Sequence, residues 1–432
     1  MSRELFGTDG VRGIAGEYPL NNDGLVRIGR AVGVQFAQEG EHIVIACDTR
    51  ESSQHLVQQV ALGLQQVGVQ VVFVDIVPTP GLAYLTAEHP EFVAGVMITA
   101  SHNTYEFNGV KVFSAQGGKL PDDAEAQLNA NIEAGVSDRG QGSFTERPEL
   151  AKEYEDFLVA SAGDLRLEGL KIAIDTAHGA ASFVAPQVLT RLGAEVVAIG
   201  NQPDGRNINI ACGATHTELL QETVLSEQCD LGIALDGDAD RLIMVDNLGR
   251  ECTGDHLLYL LGVGEGHQVV VATVMSNLGF EHALNSQGIE LQRTGVGDRY
   301  VLERLIETGR KLGGEQSGHI ILADRSTTGD GLLAAIQVLR VLKQSGKTLA
   351  QWRDEVHLLP QSLVNFAIAD KTKLNSPEVE AYVQAETEKL GTTGRILVRA
   401  SGTEPLARVM VEAPEANALA QEMADHIAEL VR

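Results

Sequence analysis

Three aspartates stand at alternate positions in Leu235-Asp236-Gly237-Asp238-Ala239-Asp240-Arg241, directly after the apolar run L-G-I-A-L. Continued as a strand they would share one side and repel, whereas at a strand's end the chain can curl them around a hard cation. At about 4 Å and an effective dielectric near 20, each like-charged pair costs on the order of 4 kcal/mol. A positive group is therefore required, and Mg²⁺ with three oxygen ligands plus a phosphate fits. An EF-hand does not: the sixth loop position is Arg241 where glycine is needed, and the twelfth is Asn247 where glutamate is needed. A solvated acidic turn is the plain alternative.

Four further segments carry chemistry-bearing residues. Thr99-Ala100-Ser101-His102-Asn103 follows a predicted strand, where open α/β sheets place their ligands. Ser101, with His102 beside it, reads as a nucleophile, a phosphoserine or a helix N-cap, and the G-x-S-x-G elbow of hydrolases is absent. Lys111, in N-G-V-K, reads as a proton-transfer group, a phosphate partner or a surface lysine. Gly313-Gly314-Glu315-Gln316-Ser317-Gly318-His319 reads either as a loop whose glycines let backbone approach a ligand while Glu315 and Ser317 can bond sugar hydroxyls, or as an ordinary turn before a strand; His319 is a ligand contact or a structural histidine. Arg399-Ala400-Ser401-Gly402-Thr403-Glu404-Pro405 joins two apolar strands and makes either an anion nest or a plain hairpin, with Arg408 nearby. Phe6-Gly7-Thr8-Asp9-Gly10-Val11-Arg12-Gly13 is a tight loop that can aim Arg12 at an anion, or a turn with a surface arginine. No Walker A segment and no G-x-G-x-x-G after the first strand argues for nucleotide use.

The elements that must position these segments alternate in type. Strands are predicted at 43–47, 69–76 and 93–99, with amphipathic helices at 24–38 and 53–67 and a loop-like stretch at 136–147. Strands at 170–175, 195–200 and 231–236 alternate with helices near 180–193 and 217–227. A third group has strands at 268–274, 288–294 and 318–322 and helices near 254–262, 277–287, 298–308 and 331–344. This alternation predicts mostly parallel sheets covered by helices on both faces. After Pro360 the pattern changes to strands at 361–369, 395–400 and 406–412 with helices near 376–390 and 415–431, a smaller α+β unit. The fold class is thus α/β: three mixed α/β-layered domains, 1–150, 151–250 and 251–360, and a C-terminal α+β domain, 361–432. Ile45-Ala46-Cys47-Asp48-Thr49 and Ile172-Ala173-Ile174-Asp175-Thr176 are faintly alike, a hint of an internal repeat.

Bulk properties narrow the partners. A formal net charge of -26 over 432 residues opposes general binding to nucleic acid or anionic membranes, and any phosphate site must be made locally positive. No run of about 18 apolar residues and no signal-peptide pattern appears, so a cytoplasmic location is expected. The four cysteines form no CxxC pair, which argues against a zinc site or a disulfide framework, and Cys47 reads as a buried small hydrophobe.

In this order and spacing the five segments resemble the α-D-phosphohexomutase family over essentially the whole chain, and most closely its amino-sugar-directed bacterial members. The resemblance implies four domains around a central cleft with one active-site loop from each. It implies Ser101 as a phosphoserine that joins Asp236, Asp238 and Asp240 in binding one Mg²⁺, with Arg241 beside them. Arg12, His102 and Lys111 would serve the reacting end, and Lys111 would be a general acid/base. Glu315, Ser317 and His319 would hold the sugar, while Arg399, Ser401, Gly402 and Thr403 would grip the non-reacting phosphate. The family's Asp-Arg pair would be Asp298 and Arg299. The implied reaction interconverts glucosamine 6-phosphate and glucosamine 1-phosphate through glucosamine 1,6-bisphosphate, with glucose- or mannose-directed activity, or a weakly active phosphosugar-binding paralogue, as the alternatives; assembly as a homodimer is left open. One departure stands out: the proline that often follows S-H-N is replaced by Thr104, which would loosen the loop.

Overall fold

The computed structural model describes residues 5–7, 10–401 and 405–432 and carries four sheets in two compact units. The first unit comprises 1–275 and 291–353, and the second 276–290 and 354–432.

The first sheet is built from β1 (Val11–Ile14), β2 (His42–Cys47), β3 (Gln70–Ile76), β4 (Phe92–Ile98), β5 (Phe107–Ser114) and β6 (Phe144–Glu146), in the order β1-β5-β4-β2-β3-β6. Helices α1 (Asn22–Phe36), α2 (Ser53–Gln65), α3 (Thr79–Glu88) and α4 (Asp122–Ala134) connect them. The continuous apolar run of β2 follows from burial on both faces. Ile43, Ile45 and Cys47 enter one core with Leu25, Ile28 and Leu64, while Val44 and Ala46 enter another with Leu82 and Leu85. Asn21 starts α1 by accepting from the Gly24 N–H at 2.9 Å.

The second sheet has β7 (Lys171–Asp175), β8 (Glu195–Ile199), β9 (Leu231–Leu235), β10 (Leu242–Asp246) and β11 (Glu251–Cys252), in the order β11-β10-β9-β7-β8, with α5 (Ala151–Ser161), α6 (Val184–Arg191) and α7 (Glu218–Ser226). The third has β12 (Val269–Thr273), β13 (Glu290–Thr294), β14 (Leu312–Gly314) and β15 (Ile320–Leu322), in the order β13-β12-β14-β15. Its helices are α8 (Gly254–Gly264), α10 (Asp298–Thr308), α11 (Gly331–Ser345) and α12 (Leu349–Arg353), whereas the intervening α9 (Leu278–Ser286) packs in the second unit. There it joins the all-antiparallel sheet β16-β18-β17, formed by β16 (Gln361–Ala367), β17 (Arg395–Ala400) and β18 (Leu406–Glu412), with α13 (Pro377–Leu390) and α14 (Ala416–Leu430).

The expected central strands pair in parallel: β4 with β2, β2 with β3, and β7 with both β8 and β9. The sheets are nonetheless mixed. β5 and β10, absent from the sequence expectation, return antiparallel beside β4 and β9, and the loop-like 136–147 contains the short edge strand β6, which pairs with β3. The suspected repeat places β2 and β7 at equivalent interior positions, and the two strand ends meet, with Thr49 Oγ1 donating to the His178 carbonyl at 2.6 Å. All four cysteines are buried thiols, and burial pushes the Cys47 thiol up. Among the described residues no helix is long and apolar enough to cross a membrane.

Candidate active site

The added antiparallel strands decide where the motifs lie. Thr99–Glu106 is the turn between β4 and β5, and Asp236–Arg241 the turn between β9 and β10. Glu315–His319 joins β14 to β15. Ser101 therefore caps no helix. It sits at φ 51° in a hairpin loop, is 1% exposed, and donates from Oγ to Asp236 Oδ2 at 2.7 Å. Its Oγ is also 3.3 Å from His102 Nδ1.

The aspartate trio is buried, not a solvated turn, and one carboxylate oxygen of each residue lies within 4.8 Å of the others. Ala239 at φ 58° gives the curl. Gly237 is required by a close approach: a Cβ there would stand 2.6 Å from the Ser101 carbonyl oxygen. Lys111, on β5, is buried, donating to Asp238 Oδ2 at 2.7 Å and to Asp240 Oδ2 at 3.2 Å. Thr79, at the start of α3, donates to Asp238 Oδ2 at 2.6 Å. Arg241 Nε is 4.0 Å from both Asp236 Oδ2 and Asp240 Oδ1. Arg12, on β1 opposite Gly109 of β5, contributes its charge to this site, depressing His102 and Lys111.

The electrostatics divide these groups. Burial, then the Asp240 and Asp238 carboxylates, push Asp236 up to about 8. Burial also disfavours the charge on Asp240, but Lys111, His319 and Arg241 hold it well below the usual range. Burial opposes the Lys111 charge as well, and Asp238 and Asp240 overcome it, raising its pKa. His102 falls to about 4 through burial and the charges of Arg241 and Arg12, so its imidazole is neutral at pH 7. His319 is driven the other way: burial opposes protonation, but Asp298 and Asp240 lift it to about 10.

A divalent cation suits this donor set. Asp238 Oδ1 and Asp240 Oδ1 are buried without a hydrogen-bond partner, and burial, then the two neighbouring carboxylates, push Asp236 toward protonation. Mg²⁺ would bring that charge and use those oxygens.

The predicted sugar loop adjoins the trio through His319, whose Nδ1 is 3.7 Å from Asp240 Oδ1 and whose Nε2 is 2.9 Å from Asp298 Oδ2. Asp298 in turn meets Lys119 Nζ at 2.5 Å, and Arg299 pairs with Asp122 and Glu125. Glu315 and Ser317 are half-buried; Glu315 Oε1 accepts from the Gly297 N–H at 3.1 Å. In the second unit, β17 carries Arg399 opposite Arg408 of β18, and Ser401 follows β17, with Arg408 donating to Ser401 Oγ at 3.2 Å and Lys371 to the Ser401 carbonyl at 2.5 Å. Burial and the adjoining Arg408 lower the Arg399 pKa. Gly402 and Thr403 lie outside the described residues. Thus Ser101, His102, Lys111, Arg12, Asp236, Asp238, Asp240, Arg241 and His319 converge in the first unit. Thr79 and Lys119 join them unannounced by sequence, because a threonine before proline and a lysine after glycines read as loop surface.

Comparison with known proteins agrees with this geometry. The chain matches the phosphoglucomutase/phosphomannomutase alpha/beta/alpha domains I, II and III over residues 3–139, 152–249 and 253–358, and the C-terminal domain over 363–430. A phosphoglucosamine mutase from Thermus thermophilus is 47% identical over 433 residues, covering 100% of this chain and 98% of that protein. The crystal structure of a phosphoglucomutase/phosphomannomutase family protein from Burkholderia thailandensis superposes with a TM-score of 0.83 at 26% identity, covering 100% of this chain and 97% of that one. An N-acetylphosphoglucosamine mutase from Aspergillus fumigatus, solved with GlcNAc-6P and magnesium, shares the fold at a TM-score of 0.68 and 18% identity, over 99% and 95% of the two chains. With all four domain types matched in order and the serine loop meeting the aspartate loop inside them, the chain belongs to the phosphoglucomutase/phosphomannomutase family.

Proposed function

We propose that this chain interconverts glucosamine 6-phosphate and glucosamine 1-phosphate, with phosphorylated Ser101 as the donor and glucosamine 1,6-bisphosphate as the intermediate. The observation that carries it is the 2.7 Å contact between Ser101 Oγ and Asp236, which puts a serine hydroxyl at the rim of a buried carboxylate trio. The amino sugar is supported by the full-length 47% identity to a phosphoglucosamine mutase.

In the forward step the P–O bond to Ser101 Oγ breaks as a new one forms to the substrate's free hydroxyl. The proton lost there ends on Ser101 Oγ, and return of the other phosphoryl group reverses the exchange. Asp236, Asp238 and Asp240 would hold Mg²⁺ together with an oxygen on phosphorylated Ser101; when bound, the ion neutralises the charge of the phosphoryl oxygens. His102, neutral at pH 7, lies 3.3 Å from Ser101 Oγ, and Lys111, buried against Asp238 and Asp240, is assigned the general acid/base of the transfer. Arg12 and Arg241 add the positive charge that a chain of net charge -26 must concentrate here. Glu315, Ser317 and His319 are assigned the sugar, and Arg399 and Ser401, with Gly402 and Thr403, a phosphate.

Coupled assays on glucosamine, glucose and mannose 1-phosphates test the substrate, and Ser101→Ala tests the chemistry. The amino sugar should be turned over fastest, the variant should lose at least about a hundredfold in kcat, and only the wild type should gain a phosphate's mass. Wild-type rates in Ser101→Ala would end the phosphoserine reading.

A further inference from the structure

One buried cation near Ser101 belongs to none of the groups above. Arg50 follows β2, and its side chain is 0% exposed. A guanidinium has five N–H donors, and here every one is used. Nε donates to Asp48 Oδ2 at 2.8 Å. Nη2 donates to the carbonyls of Ser101 at 3.0 Å and Asn103 at 2.8 Å, and Nη1 to those of Phe107 at 3.1 Å and Thr104. Four of the five bonds therefore end on the backbone of one loop.

The same network fixes the peptide groups on both sides of the Ser101 side chain. Its N–H donates to Thr99 Oγ1 at 3.0 Å, and Thr99 Oγ1 donates to Asp48 Oδ2, the oxygen that pairs with Arg50. Its carbonyl accepts from Arg50 and also from Asn209 Nδ2 at 2.8 Å; Asn209 reaches the Asn103 carbonyl at 2.9 Å too. Ser101 is held at φ 51°, a left-handed conformation that a residue with a Cβ keeps only when its surroundings over-determine it. Oγ alone remains free to face Asp236. The Thr104 carbonyl is one of the four that Arg50 grips.

We propose that Arg50 is a positioning residue: its guanidinium locks the 101–107 loop in the strained conformation that aims Ser101 Oγ at the aspartate loop, without touching substrate. The proposal rests on the phosphoserine reading of Ser101. A lysine at 50 keeps the charge opposite Asp48 but, as a single-point donor, cannot span four carbonyls.

The test uses the full chain with Mg²⁺ and glucosamine 1-phosphate. Arg50→Lys should lower kcat by about a hundredfold, the penalty of misplacing a reacting atom by an ångström, while KM stays within about threefold because sugar contacts are untouched. Guanidinium ion added to Arg50→Ala should restore part of the lost kcat. Asn209→Ala keeps the Arg50–Asp48 pair yet removes two bonds to the same carbonyls, so it should lower kcat by about tenfold at unchanged KM; it answers the question should the Arg50 variants fail to fold. Near-normal kcat in Arg50→Lys, or losses in kcat, KM and melting temperature that run in parallel, would overturn the proposal. A wild type that carries phosphate on Ser101 alongside a fully active Arg50→Lys sinks this inference alone. A fully active Ser101→Ala sinks the reading beneath it.

Discussion

Asp236, Asp238 and Asp240 share one turn but are held by different neighbours. Asp236 takes the Ser101 hydroxyl and is pushed up to about 8 by burial and by the other two carboxylates. Asp238 takes Thr79 and Lys111 on one oxygen and leaves the other bare; Asp240 is kept ionised by Lys111 and His319. Lys111, Arg241 and His319 bring positive charge to the trio, yet Asp238 Oδ1 and Asp240 Oδ1 are left without a hydrogen-bond donor, so the trio keeps oxygens that a cation can use. Added Mg²⁺ should raise the melting temperature of the wild type, by an amount equivalent to about 2.7 kcal/mol at a hundredfold excess over Kd. In Asp238→Asn most of that increment should vanish and mutase activity should drop by about a hundredfold or more. Scanning fluorimetry with and without Mg²⁺ reads the first effect without reference to turnover. An equal Mg²⁺ shift in both proteins would remove the trio as the cation site. The trio was legible in sequence because its alternate aspartates follow an apolar strand, whereas Ser101 read alone was as much a helix cap as a nucleophile and took its phosphoserine role from the family resemblance. Arg50 was not legible: a lone arginine after Asp-Thr looks like surface, and only the fold shows that its five donors have no water to meet.

The elements that position these residues depend on close helix packing behind the first sheet. Helices α1 and α2 cross through Gly29 and Gly63: a Cβ on Gly63 would stand 2.2 Å from the Val26 carbonyl oxygen and 3.0 Å from Gly29 Cα, both backbone atoms that cannot rotate aside. Gly63→Ala should therefore destabilise the first unit by about 1–3 kcal/mol through overpacking, despite alanine's better helix propensity. Gly118→Ala, whose Cβ would meet only Ser114 Oγ at 3.7 Å, serves as the control. Urea midpoints compare the two, and equal midpoints would show that the helices separate without cost. The main helices and parallel strands could be read from their periodicity, yet β5 and α3 could not. Strand β5 carries Asn108 and Lys111 into the interior, where Ser52 and Ser53 hydroxyls satisfy one and aspartates the other, so its pattern does not look buried. Helix α3 is buried around most of its circumference, including Thr79, Pro80, Leu82, Ala83, Leu85 and Thr86, and so shows no amphipathic stripe. Missing β5 hid the hairpin that puts Ser101 and Lys111 on neighbouring segments.

At the scale of the whole molecule, the second unit is assembled from two separated stretches of chain. Reading along a sequence draws domain limits as single cuts, and helix α9, between two strands of the third sheet, looks like any crossover helix. Its packing inside the second unit rests on specific bonds. Asn277 exchanges two hydrogen bonds with Leu359, accepting at 2.9 Å and donating at 3.0 Å; the Leu278 N–H donates to Glu412 at 2.9 Å; and Arg395 donates to the Ser276 carbonyl at 2.9 Å. Gly279 lets the backbones touch, since a Cβ there would lie 2.0 Å from the His357 carbonyl oxygen. Glu412 is 0% exposed and also pairs with Arg395, so losing the 276–290 segment strips a buried carboxylate of one of its donors. Four bonds at about 1 kcal/mol each are a large share of the roughly 5–15 kcal/mol that stabilises a typical domain. A fragment spanning 354–432 should consequently unfold at a much lower urea concentration than the same fragment with 276–290 joined through a glycine–serine linker, and the 276–290 peptide added in trans should recover part of the difference. Identical midpoints for the two fragments would mean that α9 rests on the second unit without supporting it. A higher midpoint in the joined fragment would make α9 a structural part of the sheet that carries Arg399 and Ser401, although it is encoded more than a hundred residues before them.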